Sequence, residues 1–180
     1  MMAERSPAKV WLMRFVYLGI ALVILIAHLL PLETTPTRFA GPDLLVALTF
    51  AWALRRPQYV PMLLVALTML LADLLLQRPP GLWALLMLFS TEWLKSRDRT
   101  LRENTFVAEW LTVATTLFLA TLTYRIVLGL LIVSPGALSL SMMQYGMTML
   151  VYPLIAGASF LAFGSRRGKQ GEFDKTGRKL

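Results

Sequence analysis

Long apolar runs alternate with short polar turns along the chain from Phe15 to Phe163. Pro, Gly and charged residues punctuate this alternation and divide it into six apolar segments. A helix is the expected state of each segment, because backbone groups in lipid must satisfy their own hydrogen bonds. The sequence therefore predicts an all-α protein whose helices occupy residues 11–32, 44–54, 60–76, 81–94, 105–133 and 138–163.

The composition points to the bilayer as part of the solvent of this chain. Of its 180 residues, 57% are hydrophobic and only 16% are charged. A soluble domain of this size could not bury so much apolar surface. We therefore expect a polytopic integral membrane protein, in which residues 1–163 form a single six-helix domain and the first helix is a retained signal anchor.

Basic residues fix the expected orientation. The chain has 18 Lys and Arg residues against 10 Asp and Glu, a formal charge of +8. They flank apolar runs, so we interpret them as topology signals that contact anionic lipid and not as a nucleic-acid site. Six spans with both termini in the cytoplasm place 15 of the 18 basic residues inside. Residues 164–180 are expected to form a disordered basic cytoplasmic tail.

The second segment is short for a membrane span. Its 11 residues would rise about 16 Å, against a hydrocarbon core of roughly 30 Å. A five-span arrangement without it leaves 13 basic residues inside and four outside, so six spans fit the positive-inside rule better. We expect the short span to be accommodated by snorkelling of Arg55 and Arg56, by burial among its neighbours, or by local thinning of the bilayer.

Charged residues within the apolar segments are the candidates for function, because a charge in a membrane needs a partner or a purpose. His28, Asp43, Asp73 and Arg125 are predicted to share an outer layer. Asp43 follows Gly-Pro and opens the second helix, either as a helix-terminal carboxylate or as the lining of an outward-facing pocket. For Asp73 and Arg125 we weigh a structural ion pair between the third and fifth helices against a ligand-binding role.

A second polar layer is predicted near the cytoplasmic side. Glu92 and Glu109 lie close to basic residues, so ion pairs with snorkelling cations account for them. One face of the fifth helix is small and polar, and it consists of Glu109, Thr112, Thr116, Ala120 and Thr123. This face favours close packing with hydroxyl groups bonded across the helix interface. The chain has no Cys, and we identify no metal or cofactor site and no set of catalytic groups.

Two segments carry a family resemblance. Residues 41–45 read Gly-Pro-Asp-Leu-Leu and are followed at 52–57 by Trp-Ala-Leu-Arg-Arg-Pro. Residues 72–83 read Ala-Asp-Leu-Leu-Leu-Gln-Arg-Pro-Pro-Gly-Leu-Trp. These segments, together with the chain length and the short second span, resemble the rod-shape-determining membrane protein family MreD.

The resemblance implies a multi-pass protein of the bacterial inner membrane. Its implied function is that of a non-enzymatic scaffold of the cell-elongation machinery, which builds peptidoglycan. Its implied partners are a single-span MreC-like protein, the MreB filament, RodA and its penicillin-binding transpeptidase. The family is similar in fold to the six-helix substrate-capture subunits of energy-coupling-factor vitamin transporters, so such a subunit is the alternative function. The candidate partner- or pocket-lining residues are Asp43, Asp73, Arg125, Arg55 and Arg56.

Overall fold

The computed structural model describes residues 7–30, 40–97, 105–134 and 136–163. These residues form helices and no strands, which confirms the all-α prediction. The predicted basic tail, residues 164–180, lies outside the described residues. The six α-helices of the described ranges are α1 (Pro7–Leu29), α2 (Leu44–Arg55), α3 (Met62–Leu75), α4 (Leu82–Ser96), α5 (Phe106–Leu130) and α6 (Leu138–Phe163), and a 3-10 turn at Pro57–Tyr59 follows α2.

Successive helices run antiparallel, so the described part of the bundle has two distinct ends. At the first end, the start of α1 meets the 3-10 turn, where Arg14 Nε donates to the Gln58 carbonyl at 3.2 Å. Lys95 at the end of α4 reaches the same region and donates to the Val60 carbonyl at 2.6 Å. We call this the basic end. The opposite end holds the start of α2 with Asp43 and the distal part of α5 with Arg125, and we call it the cavity end.

Helix α2 is the centre of the bundle. It packs against α6, α4 and α1, and each of its residues from Leu45 to Leu54 is buried. Tyr17 of α1 and Thr49 of α2 share a buried hydrogen bond of 2.8 Å between their hydroxyl oxygens. Because its neighbours surround it, a helix of only 12 residues can lie at the core without itself matching the thickness of a bilayer. The expected burial of this segment among its neighbours is therefore confirmed.

The other five helices expose large apolar side chains. Examples are Phe15 at 65% exposure, Leu63 at 71% and Leu154 at 73%, while Thr68, Asp73 and Thr91 are buried. Soluble monomers rarely present contiguous apolar surface on this scale. By length and composition, α1 and α5 are each long and apolar enough to cross a membrane, and α2 and α3 are shorter apolar helices.

The helix bounds differ from the predicted ones for local reasons. Helix α3 begins at Met62, two residues later than predicted. The preceding 3-10 turn ends at Tyr59, and the next residue, Val60, is fully buried in the core. Helix α5 ends at Leu130, because Ile132 adopts a positive φ of 57° and the Val133 N–H bonds back to the Leu128 carbonyl at 3.0 Å. This back-bonding pattern ends a helix with a left-handed residue.

A similar termination shapes the connection between α3 and α4. Gln77 adopts φ 54° and the Arg78 N–H bonds to the Asp73 carbonyl at 3.0 Å. Gly81 then adopts φ 89° at the start of α4, a conformation that glycine tolerates best. The short connection folds Arg78 back over the bundle at the cavity end.

The prediction that threonine hydroxyl groups of α5 bond across helices is wrong for Thr112 and Thr116. Those of Thr112 and Thr116 donate to carbonyl groups four residues earlier in their own helix, each at 2.7 Å. Such back-bonding satisfies a buried hydroxyl without a partner on another helix. The predicted small face does pack where Thr116 and Ala120 are buried, whereas Thr123 is exposed.

Candidate site at the cavity end

Asp43 is the N-cap of α2. Its Oδ1 accepts from the Val46 N–H at 3.1 Å, and its own backbone N–H donates to Thr148 Oγ1 of α6 at 2.8 Å. The carboxylate therefore satisfies one of the unpaired N–H groups at the helix start and lies at the positive end of the helix dipole. This geometry confirms the helix-terminal interpretation of Asp43 and ties the start of α2 to α6.

Asp73 caps a neighbouring helix from the end of α3. Its side chain is fully buried, and Oδ2 accepts from the backbone N–H groups of Gly81 and Ala84, each at 3.0 Å. These groups belong to the start of α4, which has no cap from its own N-cap side chain. The carboxylate thus holds α3 and α4 together as a helical hairpin, while Oδ1 has no hydrogen-bond partner among the described residues.

The predicted ion pair between Asp73 and Arg125 is wrong. Arg125 instead donates from Nη1 to Ser141 Oγ at 2.7 Å and from Nη2 to the Gly136 carbonyl at 3.1 Å. Helix α4 packs against both α3 and α5, and the Asp73 carboxylate is directed to α4. Similar depth along the bundle axis does not place two side chains on facing helix surfaces.

Arg78 also belongs to the site, although it was not among the residues predicted to line a pocket. Its Nη1 lies 3.8 Å from Asp43 Oδ2, and its guanidinium carbon lies 5.4 Å from the centre of the Trp83 ring. The available signal was the spacing of Arg78 and Trp83 around Pro-Pro-Gly, since a tight turn can bring a cation back over an aromatic ring.

A cavity of about 90 Å³ opens at this end. Its lining comes from α4, α5, α6 and the residues next to α2 and α3, and it includes Asp43, Arg78 and Arg125. The structure therefore brings two of the predicted residues, Asp43 and Arg125, to one cavity. Asp73 lies behind it, bonded to α4. His28 borders a smaller cavity of about 10 Å³ next to Asp43 and Arg78, and its Nδ1 lies 2.9 Å from the Ile24 carbonyl oxygen.

Arg55 and Arg56 lie at the basic end, away from this cavity. Arg55 Nη1 contacts Glu109 Oε1 at 2.8 Å, and the Tyr152 hydroxyl donates to the same carboxylate oxygen at 2.7 Å. The cluster of Arg55, Glu109 and Tyr152 joins α2, α5 and α6. Arg55 therefore forms an inter-helix ion pair and does not snorkel, which was one of the three alternatives for this segment. Arg56 is also buried, at 9% exposure.

Glu92 forms the second ion pair at the basic end. Its Oε1 accepts from Lys95 Nζ at 2.6 Å, one turn along α4. The expectation that nearby cations account for Glu92 and Glu109 is therefore confirmed for both. In the described part of the chain, no three His, Cys, Asp or Glu side chains are grouped so that they could hold a metal ion.

The chain was compared with known proteins, and no protein-family model, curated protein or solved structure matches it.

Proposed function

We propose that this chain is an integral membrane protein that crosses the bilayer six times, with the basic end in the cytoplasm. The antiparallel course of the helices puts the start of α1 and the end of α6 at the same end. Arg14, Arg55 and Lys95 cluster there, which agrees with the positive-inside rule. The apolar side chains exposed on the outer helices then face lipid.

Within that membrane setting, we propose a non-enzymatic scaffold of the bacterial cell-elongation machinery, similar to the MreD family. The proposal is supported mainly by the position of the two segments that resemble the family. The two segments of the resemblance, residues 41–45 and 72–83, meet at the cavity end, where Arg78 lies 3.8 Å from Asp43. Their acidic residues cap helices that the same segments begin, so the motif residues have the structural role expected of a scaffold.

The remaining polar groups support the same proposal. Glu109, Arg55 and Tyr152 bond one another across three helices, so they stiffen the bundle. The cavity, at about 90 Å³, is small beside the roughly 300–1,000 Å³ of sites for drug-sized ligands. This size favours a scaffold over the vitamin-capture subunit of an energy-coupling-factor transporter.

The proposed partners follow the resemblance and the charge distribution. A single-span MreC-like protein would pack against exposed apolar helix surface within the membrane, where close packing drives association. RodA, its penicillin-binding transpeptidase and the MreB filament complete the proposed assembly. Anionic lipid would contact the cations of the basic end.

A pull-down of the tagged full-length chain from native membranes in mild detergent tests this function. We expect mass spectrometry to recover a single-span periplasmic coiled-coil protein together with the wall-synthesis pair. A tagged polytopic protein of unrelated function, expressed to the same level, is the control for capture by apolar surface. Recovery of two nucleotide-binding ATPases and a transmembrane coupling subunit would instead establish the transporter alternative.

A further inference from the structure

The Arg78 guanidinium lacks the hydrogen bonds that such a group normally makes. Its side chain is 24% exposed, yet no residue in the described ranges accepts a hydrogen bond from its side-chain N–H groups. Its guanidinium lies 3.8 Å from Asp43 Oδ2 and 5.4 Å from the centre of the Trp83 ring, and it also interacts electrostatically with Asp73. A guanidinium carries five N–H donors in a planar fork, so a largely covered Arg78 leaves strong donor capacity at the cavity.

Two neutral side chains on the cavity wall can also donate hydrogen bonds. The Tyr124 hydroxyl and the Gln144 side-chain amide both line the cavity, and neither has a hydrogen-bond partner among the described residues. Both side chains are partly covered. Polar groups that line a cavity and have no protein partner are bonded by water or by a ligand.

The charge balance of the lining favours an anion. Arg78 and Arg125 line the cavity together with one carboxylate, that of Asp43. The Asp73 carboxylate lies behind the cavity and also interacts with Arg78, but its Oδ2 accepts from the Gly81 and Ala84 N–H groups at the start of α4. The Asp43 carboxylate already accepts from the Val46 N–H at 3.1 Å, so part of its capacity serves the start of α2. Arg125 is held in place by Ser141 and Gly136, so the cavity contains a positioned second guanidinium.

We propose that this cavity binds one phosphate group, with Arg78 as the principal donor and Arg125, Tyr124 and Gln144 as further contacts. Arginine binds phosphate through paired, charge-assisted hydrogen bonds. A volume of about 90 Å³ suits a group of a few heavy atoms, since a cavity needs about 10–15 Å³ by the same measure to hold one water.

The phosphate has two possible sources, an anionic phospholipid headgroup or a soluble phosphate compound. The surroundings favour the lipid. Leu122 and Ile126 of α5 and Met142 of α6 are exposed apolar side chains near the cavity, and they could pack against acyl chains. Binding of a phospholipid headgroup requires the proposed membrane location, whereas binding of a soluble phosphate compound does not. Neither kind of binding requires the proposed scaffold function. A failed binding test would therefore leave the pull-down result standing.

Native mass spectrometry of the purified, delipidated full-length chain tests the site. The probes are phosphatidylglycerol, diacylglycerol with the same acyl chains but no phosphate, and inorganic phosphate. We expect phosphatidylglycerol to bind and diacylglycerol not to be retained. Arg78→Gln should weaken phosphatidylglycerol binding roughly tenfold or more, because a charge-assisted donor is lost.

Arg97→Gln is the matched control. Arg97 also lies over a tryptophan, with its guanidinium carbon 4.7 Å from the Trp93 ring centre, but it is at the basic end, where this change should leave binding unaltered. Gln144→Leu is a second test should Arg78→Gln fail to fold, with an expected loss of about threefold.

Two results would overturn the proposal. One is equal retention of diacylglycerol and phosphatidylglycerol, and the other is equal binding by the Arg78→Gln, Gln144→Leu and Arg97→Gln proteins. Binding of inorganic phosphate that depends on Arg78 and excludes the lipid would support the phosphate site and assign it to a soluble ligand.

Discussion

Replacing Glu109 with Gln is expected to lower the free energy of unfolding by about 3 kcal/mol, because the change removes the carboxylate that neutralises a largely buried Arg55. The two side chains are 15% and 18% exposed, so water can screen the remaining cation only weakly. The introduced amide keeps an oxygen for the Tyr152 hydroxyl, which isolates the loss of charge. Reversible unfolding in mixed micelles, followed by circular dichroism, measures the change.

A double variant separates the ion pair from general damage to α5. Arg55→Met combined with Glu109→Gln should cost less than Glu109→Gln alone, because no charge is then stranded in the bundle. Glu92→Gln is the matched control. Its carboxylate is 37% exposed and pairs with Lys95 within one helix, so its loss should cost about 0.5 kcal/mol or less. Equal effects of Glu92→Gln and Glu109→Gln would contradict the assigned role of the inter-helix pair.

Removing the Asp73 carboxylate is the second large effect. Asp73→Ala is expected to cost about 3 kcal/mol, because the N–H groups of Gly81 and Ala84 lose their acceptor at a buried helix start. Asp73→Asn keeps an acceptor oxygen at the same position and should cost about 1 kcal/mol. The same unfolding measurement reports both variants, and the loss should appear together with fraying of the first turn of α4 in hydrogen exchange.

The Asp73 variants also distinguish helix capping from the ion pair that the sequence suggested. If Asp73 and Arg125 were partners, Arg125→Leu would restore part of the stability lost in Asp73→Ala. The structure predicts simple addition, because Asp73 bonds to α4 and Arg125 bonds to Ser141 and Gly136. A rescue by the double variant would refute the capping role.

Helix existence could be predicted from the sequence because the signal is local. Proline, glycine or charged residues separate the apolar runs from one another. All six runs form helices, and the observed helix bounds differ from the predicted ones by a few residues. The shifts came from turn geometry, as with the positive φ of Ile132, which a β-branched residue rarely adopts. The burial of the short helix α2 was also among the alternatives predicted from the sequence.

Helix neighbours could not be predicted in the same way. The depth of a residue follows from its position in a run, and Asp43 and Arg125 were correctly placed at one end. The rotation of each helix depends on tertiary packing, so the sequence could not show that α4 packs against both α3 and α5 or that Asp73 caps it. Arg78 was missed because its role depends on a turn that folds it over Trp83.

These features combine into one account of the molecule. The cavity end is built from helix caps and a turn, and the basic end is tied by the Arg55–Glu109 pair. Both ends are polar, while apolar side chains are exposed on the outer helices between them. The proposed membrane scaffold requires that each of the six helices cross the bilayer.

Cysteine accessibility tests the six crossings most directly. The chain has no Cys, so each introduced thiol is read alone with a membrane-impermeant maleimide. Pro80→Cys and Ser134→Cys place thiols at exposed positions of the cavity end, and Ser96→Cys places one at the basic end. We expect the maleimide to label the Pro80→Cys and Ser134→Cys proteins from outside in spheroplasts. The Ser96→Cys protein should react only after the membrane is disrupted. Labelling of the Pro80→Cys and Ser96→Cys proteins from the same side would show that α4 does not cross, and would contradict the six-span arrangement.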